Sequence, residues 1–329
     1  MLQQTRVAAV IPHYERFLRR FPTVEALARA KTESVLQYWA GLGYYARARN
    51  LHRAAKQIVT LHEGNFPRKF ADALSLAGIG NYTASAILSI AYGKPYAVLD
   101  GNVARVLARL GGIGADLRAP QRWRQLSQAA SSLLELSAPG DWNEAMMELG
   151  ATVCTPRAPN CGKCPVRSSC RAQFLGVQEQ LPAKRNKLAV ERVSLAAGIL
   201  LDTAGRTLLV RPGSVNDGDG AAALFSGLWQ FPAVRVKKNA EAELRKELAA
   251  LWKARTVNHS LKLTPLIRKK HTVTFRAITL APYLARVEKL PEANGSEMKV
   301  VPFSAVKTLA VSSATRKIAA SASAETEKN

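Results

Sequence analysis

Apolar residues recur at spacings of three and four through the first 180 residues, and alternating strand-like runs are almost absent there. This period places apolar side chains on one face of an α-helix, so the pattern predicts helices joined by Gly, Pro or Asn turns. The predicted helical segments are residues 35–39, 51–61, 83–91, 103–110, 123–134 and 142–149. Residues 1–180 are therefore predicted to form an all-α domain.

The pattern changes after the basic, Pro-containing stretch LPAKRNKL at residues 181–188. One helical segment, residues 240–252, lies among strand-like runs at residues 193–201, 206–210, 227–236 and 270–286. We interpret residues 181–190 as a linker and residues 191–310 as an α+β domain.

Two segments of the second half lack an apolar pattern. Residues 213–223 are small and polar, which predicts a surface loop, and the tail of residues 311–329, rich in Ser, Ala, Thr and charge, is expected to be disordered. The chain has no run of 18 apolar residues, and its first residues, MLQQTRV, lack the apolar stretch of a secretory signal. We therefore expect no membrane span, no secretion and a cytoplasmic, nucleoid-associated location.

Positive charge exceeds negative charge, with 47 Lys and Arg against 24 Asp and Glu and a formal net charge of +23. An excess of this size is typical of proteins that bind the phosphates of nucleic acids. A basic protein without such a partner could have the same composition. The charge therefore favours a nucleic-acid partner and does not establish one.

All four cysteines lie within 17 residues, separated by gaps of six, two and five residues, at Cys154, Cys161, Cys164 and Cys170. A CxxC pair inside so short a loop indicates metal binding rather than disulfides. Four thiolates at this spacing can hold either a tetrahedral zinc ion or a [4Fe–4S] cubane. A zinc ribbon usually has two CxxC pairs, whereas only Cys161 and Cys164 are paired in this way here.

Two turns carry further candidate chemistry. The sequence LAGIG at residues 76–80 can point backbone N–H groups at a phosphate, although a plain helix-to-helix connection would show the same pattern. Asp100 stands directly before a Gly-Asn turn and an apolar helix in LDGNVARV, residues 99–106. Its simplest role there is that of a helix N-cap.

Taken together, the LxGxG turn, an Asp twenty residues later and the cysteine loop resemble the helix-hairpin-helix DNA glycosylases that carry an iron–sulfur cluster. Four longer motifs are similar to the MutY-type adenine DNA glycosylases: MLQQT at 1–5, GLGYYARARNLH at 41–52, VLDGNVARVLARL at 98–110 and NEAMMELGATVC at 143–154. The resemblance covers roughly residues 1–310. It implies an all-α helix-hairpin-helix domain with a [4Fe–4S] cluster on residues 154–170, followed by an α+β Nudix-like domain.

The resemblance also implies an activity and a partner. The activity is hydrolysis of the N-glycosidic bond of adenine mispaired with 8-oxoguanine or guanine, by a monomer acting on duplex DNA. Asp100 would be the carboxylate beside the sugar C1′. The endonuclease III branch has a lysine two residues after the second hairpin glycine that permits strand cleavage. Tyr82 holds that place here, so lyase chemistry is not expected and the enzyme would be monofunctional.

Further residues match family positions that contact DNA. The hairpin that grips the backbone would include Leu76, Gly78 and Gly80. The residues that wedge into the duplex and surround 8-oxoguanine would be Gln3, Gln4 and Tyr44. Asn102 and Tyr82 would line the adenine pocket, and flipping of the base would be helped by the intercalating side chains.

The second domain resembles the Nudix-like module that reads 8-oxoguanine. GLWQFP at residues 227–232 matches its first motif, but no complete Nudix catalytic box follows, so pyrophosphate hydrolysis is not expected. The lesion loop, typically HTFSH, reads HTVTF at residues 271–275. His271 and Thr274 would contact the damaged base, while Phe275 replaces the final histidine of the family pattern.

The family has a glutamate two residues before the Met of the MLQQT motif, where it protonates the adenine. This glutamate would precede Met1, so we expect either a reading frame that begins upstream or a form that binds the lesion and releases adenine slowly. Two alternative functions follow. One is another mismatch glycosylase of the superfamily, such as a thymine-removing enzyme, and the other is a non-catalytic lesion-binding protein.

Overall fold

A computed structural model describes residues 1–2, 5, 7–114, 116–117, 119–183, 189–211, 227–251, 261–273, 275–293 and 297–326. The loop predicted at residues 213–223 lies outside the described residues, as do residues 184–188 of the predicted linker. The chain divides into two compact units. One comprises Met1–His52 together with Leu188–Asn329, and the other is Arg53–Lys187.

The first unit begins with helices α1 (Val7–Arg20), α2 (Val24–Arg29) and α3 (Thr32–Trp39), and helix α4 (Tyr45–Leu61) continues from it into the second unit. The hydroxyl of Thr23 caps α2 by accepting a hydrogen bond from the N–H of Ala26. Aromatic rings hold α1 against α3, with the rings of Phe17 and Trp39 edge to face at 6.0 Å.

The second unit is helical throughout its described elements. It contains α5 (Phe70–Ser75), α6 (Asn81–Ile90), α7 (Gly101–Gly111), α8 (Pro120–Ser132), α9 (Pro139–Glu148) and α10 (Arg171–Phe174). A π-helical turn, Leu149–Val153, extends α9, and short 3-10 turns at Cys161–Lys163 and Arg167–Ser169 lie in the cysteine loop. Helix α7 is buried along most of its length and packs against α8 through Val103, Leu107 and Leu126.

The rest of the first unit contains one mixed sheet of seven strands among the described residues. The strands are β1 (Glu191–Asp202), β2 (Arg206–Val210), β3 (Ala233–Arg235), β4 (Thr264–Pro265), β5 (Lys269–Val273), β6 (Arg276–Val287) and β7 (Met298–Pro302). Their order is β4-β6-β1-β2-β7, with β3 paired to β1 and β5 paired to β6. The central pair, β1 and β6, is parallel, in register from Glu191 opposite Arg276 to Asp202 opposite Val287.

Helices cover both faces of this sheet. Helix α11 (Ala240–Leu251) packs on one face through Leu244 and Leu248, and helix α12 (Ser313–Thr326) packs on the other. Alternate residues of β1 therefore enter different cores, with Leu195 facing α12 and Leu200 facing α11. Burial on both faces explains why β1 has a nearly continuous apolar run instead of a strict alternation.

The tail that was predicted to be disordered is instead helical over Ser313–Thr326, so that prediction was wrong. The hydroxyl of Ser312 accepts a hydrogen bond from the N–H of Thr315, which caps the helix. A stripe of small apolar side chains is buried against the sheet, comprising Ala314, Ile318, Ala319 and Ala322. Alanine adds little to an apolar pattern, so the composition concealed this buried face.

The helical first half and the α+β second half confirm the predicted fold class. The compact units nevertheless differ from the predicted segments, because residues 1–52 cluster with the sheet. Contacts such as that between the indole N–H of Trp229 and the carboxylate of Glu33, at 2.6 Å, link α3 to the sheet. In the part of the chain that the structure describes, no helix is long and apolar enough to cross a membrane.

Gly198 in the middle of β1 leaves no room for a side chain, since a Cβ atom there would lie 2.8 Å from Cδ1 of Leu248. We predict that Gly198→Ala lowers the free energy of unfolding by about 1–3 kcal/mol through overpacking. Urea denaturation would measure the effect. In a Leu248→Ala background, the penalty of Gly198→Ala should largely disappear. An equal penalty in both backgrounds would contradict this explanation.

Candidate functional site

The site in the second unit is built on the N-terminus of α7, where Asp100 is the N-cap. One carboxylate oxygen of Asp100, Oδ1, accepts hydrogen bonds from the N–H groups of Asn102 at 2.8 Å and Val103 at 2.7 Å. The other oxygen, Oδ2, accepts none from the described residues, and Asp100 is only half-buried. The carboxylate is therefore fixed by one oxygen and available through the other.

Tyr82 lies near this carboxylate. Burial raises the pKa of the Tyr82 phenol, and the negative charge of Asp100 raises that pKa further. The hydroxyl of Tyr82 also lies 3.6 Å from Sδ of Met147. At neutral pH the phenol keeps its proton, so an uncharged hydroxyl and a carboxylate share the same part of the site.

The predicted hairpin at residues 76–80 connects α5 to α6. Leu76 is buried, Gly78 and Gly80 are exposed, and Gly78 has a φ of +76°, which favours glycine. No side chain caps α6 at Gly80, and no acidic residue lies in its first turn. The backbone at the positive end of α6 is thus presented without a competing carboxylate, as a phosphate ligand requires.

Asn102 is positioned by the π-helical turn that follows α9. A Cβ atom at Gly150 would lie 2.8 Å from Cβ of Asn102, so only glycine allows this close approach. The buried Arg105 joins the two segments, donating from Nη2 to Asn102 Oδ1 at 3.0 Å and to the carbonyl of Gly150 at 2.6 Å. Its Nε donates to the carbonyl of Cys154 at 2.8 Å.

One helical turn later, Arg109 holds the start of the cysteine loop. Its Nη1 donates to Cys154 Sγ at 3.2 Å and to the carbonyl of Thr155 at 2.8 Å, while its Nε donates to the carbonyl of Leu181 at 2.9 Å. Arg109 is only 2% exposed, and its Nη2 has no partner among the described residues. Helix α7 thus links Asp100 at its N-terminus to the cysteines through two buried guanidinium groups.

The four cysteines are free thiols and half-buried. Burial raises the pKa of the Cys161 thiol, and the charges of Cys154, Cys170 and Cys164 raise that pKa further, so the four sulfur atoms lie near one another. Among the described residues, no three His, Cys, Asp or Glu side chains stand in metal-binding geometry. The two observations agree, because charges interact over longer distances than a metal–ligand bond. The four sulfur atoms are close enough to affect one another's charge but do not meet at coordination distance.

The donor set nevertheless fits a metal or cluster. Four free thiols share one loop, and the unpartnered Nη2 of Arg109 is a buried positive group beside them. Thiolates bound to iron or zinc would give this guanidinium a negatively charged neighbour.

Tyr44, in the first unit, lies in the turn of residues 41–45 with a φ of +47° and is 45% exposed. The guanidinium of Arg47 lies 4.9 Å from the centre of the Tyr44 ring. The same group donates to the carbonyl of Met1 at 3.2 Å and to the hydroxyl of Thr5 at 3.3 Å. Arg47 thereby holds the MLQQT segment beside Tyr44. Gln3 and Gln4 themselves lie outside the described residues.

Residues 271–273 of the predicted lesion loop are the end of strand β5 and pair with β6, and Phe275 lies in the turn between the two strands. Burial lowers the pKa of His271, and the charge of Lys317 on α12 lowers that pKa further. The Phe275 ring is 41% exposed, with the guanidinium of Arg276 at 4.9 Å from its centre. Thr274 lies outside the described residues.

The structure adds four residues that the sequence had not singled out: Arg47, Arg105, Arg109 and Asn143. Asn143 is 2% exposed; its Oδ1 accepts from the N–H of Val98 at 2.9 Å, and its Nδ2 donates to Ser89 Oγ and to the carbonyl of Tyr96. It therefore fixes the backbone that leads into Asp100. The sequence did contain one signal for Arg105 and Arg109, because each interrupts the otherwise apolar helix VARVLARL.

This chain is similar to known DNA repair proteins. Residues 1–132 match the HhH-GPD superfamily of base excision DNA repair proteins. An adenine DNA glycosylase of Homo sapiens is 51% identical over 185 residues, which are 56% of this chain and 34% of the human protein. An adenine DNA glycosylase of Arabidopsis thaliana is 37% identical over 280 residues, which are 75% of this chain and 43% of that protein.

Among solved structures, a thermostable thymine-DNA glycosylase matches with a TM-score of 0.49 and 26% identity, covering 53% of this chain and 80% of that one. The chain spans only about a third of the length of the human relative and less than half of the Arabidopsis relative.

We predict that Asn143→Leu destabilises the second unit, because the buried N–H of Val98 loses its acceptor. An unsatisfied buried group costs about 1–3 kcal/mol, which urea denaturation would show. Hydrogen exchange at the Val98 amide should also become faster. Asn65→Leu is the matched control, since Asn65 is exposed and surface changes usually stay within about 0.5 kcal/mol. Equal stability of the two variants would contradict the role of Asn143.

Proposed function

Because the chain belongs to the HhH-GPD superfamily and, within it, to the adenine DNA glycosylase family, we propose that it removes adenine mispaired with 8-oxoguanine or guanine from duplex DNA. The observation that carries this proposal is the geometry of Asp100. One of its oxygens caps α7, and the other accepts no hydrogen bond from the described residues.

The reaction breaks the bond between the sugar C1′ and the adenine nitrogen. As this bond breaks, positive charge develops on the sugar, and a fixed carboxylate beside C1′ stabilises it without having to reorganise. Asp100 supplies that charge in the proposed site. The departing base must also gain a proton, which the family resemblance assigns to a glutamate before the MLQQT motif. Asp100 therefore accounts for stabilisation of the sugar and not for protonation of the base.

The reaction stops at base removal because position 82 carries the phenol of Tyr82 and no amine. Strand cleavage by glycosylases of the lyase type needs a lysine that attacks C1′ and forms a Schiff base. The phenol of Tyr82, whose pKa is raised by burial and by Asp100, cannot do this. We therefore propose a monofunctional glycosylase.

DNA binding is supported by three features. The net charge is +23, the hairpin before α6 presents its backbone without an acidic neighbour, and Tyr44 is exposed at a turn. We propose that Tyr44 enters the duplex while the adenine is flipped out, and that the hairpin holds a backbone phosphate. The loop of residues 271–275 would read the opposite 8-oxoguanine, with the Phe275 ring in place of a second imidazole.

We propose that Cys154, Cys161, Cys164 and Cys170 hold a [4Fe–4S] cluster. When bound, such a cluster would join the four thiolates and fix the conformation of their loop. Arg109 donates a hydrogen bond to the sulfur of Cys154 and so helps to position the first of the four ligands.

We predict that Asp100→Asn slows single-turnover adenine release by about a hundred- to a thousand-fold, the usual loss for one electrostatic contact to a transition state. Asparagine is as good an N-cap as aspartate, so the fold and duplex binding should persist. The assay would use a duplex with adenine opposite 8-oxoguanine, resolved on gels with and without alkali. Because Tyr82 stands where the lyase enzymes have a lysine, the product strand should break only after alkali.

Asp72→Asn, an exposed change of the same charge on α5, is the control for this experiment and should behave like the parent chain. Unchanged release by Asp100→Asn would show that another group stabilises the sugar. Strand breakage without alkali would exclude the monofunctional assignment.

We predict that Cys164→Ser loses the cluster, since three thiolates and a hydroxyl hold iron poorly. Anaerobically purified parent chain should be brown and contain about four iron atoms per chain. The measurements are metal analysis and visible absorption. Ser168→Ala, an exposed change in the same loop, should retain the iron. One zinc and no iron in the parent chain would contradict the assignment.

A further inference from the structure

Three cationic or proton-donating groups meet beside the turn of residues 41–45, in the first compact unit. His13 and Arg16 lie one turn apart on α1, and Arg316 lies in the first turn of α12. Nη2 of Arg16 is 3.1 Å from Nδ1 of His13 and donates to the carbonyl of Tyr38 at 3.4 Å. Helices from opposite ends of the sequence thus bring these side chains together.

Gly41 shows that two of these groups face a common space. A Cβ atom at Gly41 would lie 3.0 Å from Cε1 and 3.2 Å from Nε2 of His13, and 3.8 Å from Nη1 of Arg316. The φ of +113° at Gly41 favours glycine, so the turn can approach both groups closely. Side chains from α1 and α12 therefore border the same edge of the turn.

Among the residues that the structure describes, these three groups have no anionic partner. The side chain of Arg316 makes no hydrogen bond or ion pair with the described residues, and its Nε is buried. Arg16 forms no ion pair in the described part of the chain. Burial lowers the pKa of His13, and the charges of Arg16 and Arg316 lower that pKa further. A hydrogen bond from the His13 ring to the carbonyl of Tyr38 acts in the opposite direction and raises that pKa.

We propose that His13, Arg16 and Arg316 form a phosphate-binding site, and that its ligand is a backbone phosphate of the DNA duplex. Guanidinium groups bind phosphate oxygens by charge-assisted hydrogen bonds, and the His13 ring borders the space beside Arg316. The single negative charge of a backbone phosphate would offset part of the positive charge of Arg16 and Arg316. The DNA part of this inference rests on the proposed function.

The position of the site favours DNA over free phosphate. The turn of residues 41–45 also carries Tyr44, the side chain proposed to enter the duplex, so a backbone phosphate would pass close to it. The segment that leads into α12 is anchored to this turn, because the hydroxyl of Tyr45 donates to the carbonyl of Val311 at 3.3 Å. Arg316 is therefore placed before DNA arrives, which limits the entropy lost on binding.

The DNA arm of the test compares Arg316→Gln with Arg29→Gln. Both variants remove one positive charge, and Arg29 is exposed on α2. Duplex binding would be measured by fluorescence anisotropy over a series of NaCl concentrations. Loss of one phosphate contact should reduce the slope of log K against log [NaCl] by about 0.9 for Arg316→Gln. Affinity should fall equally for lesion-containing and undamaged duplexes, because phosphate contacts carry no sequence information.

The phosphate arm tests the site without DNA. The chain has five histidines, and the imidazole signals of His13 can be assigned in NMR spectra by a His13→Gln variant. Titration with inorganic phosphate should shift the His13 signals in the parent chain and in Arg29→Gln, but not in Arg316→Gln. Circular dichroism melting curves would verify that each variant is folded.

The two arms separate the possible failures. If phosphate leaves the His13 signals of the parent chain unchanged, the phosphate site is wrong, whatever the protein does to DNA. If phosphate binds but Arg316→Gln and Arg29→Gln show the same salt slope, the site takes free phosphate and the DNA assignment is wrong. If the parent chain binds phosphate and no duplex, the proposed function fails while the phosphate site stands.

Discussion

The second compact unit depends on the burial of two guanidinium groups, those of Arg105 and Arg109. Taking an ion out of water costs several kcal/mol unless its hydrogen bonds and charge are compensated. Neither group is paired with a carboxylate among the described residues, and backbone carbonyls, the amide of Asn102 and the sulfur of Cys154 accept their protons instead. The cysteine loop must therefore stay in place for α7 to remain buried.

Through this arrangement, helix α7 connects the candidate catalytic residue Asp100 to the candidate metal-binding cysteines. Asp100 caps α7, Asn102 is held by Arg105, and Arg109 contacts the first cysteine of the loop. Movement of the loop would therefore be transmitted to the residues beside Asp100 through hydrogen bonds of 2.6–3.2 Å. The close approach of Gly150 to Asn102 makes that coupling stiff, because no side chain can separate the two segments.

Short-range patterns predicted local structure. An Asp directly before an apolar helix is typical of an N-cap, and Asp100 caps α7 in the structure. Long-range packing was not predictable in the same way. Arginine on a helix is usually exposed, so the interruption of the apolar run by Arg105 and Arg109 does not by itself predict that the two side chains are buried. Helix α12 escaped prediction because its buried face consists mainly of alanine, and the contact of Glu33 with Trp229 joins residues 196 positions apart.

The composition of the first unit, Met1–His52 with Leu188–Asn329, has a consequence for how the protein is made. The amide of Gln37 on α3 donates to the carbonyl of Thr308, and Tyr45 donates to Val311, across separations of 271 and 266 residues. A ribosome delivers the first helices long before the strands and α12 exist. During that interval α3 lacks its hydrogen bonds to Trp229 and Thr308, while the second unit, continuous in sequence, can already fold. Completion of the first unit thus waits until the strands and α12 have been synthesised, which leaves the early helices exposed to non-native contacts in the meantime.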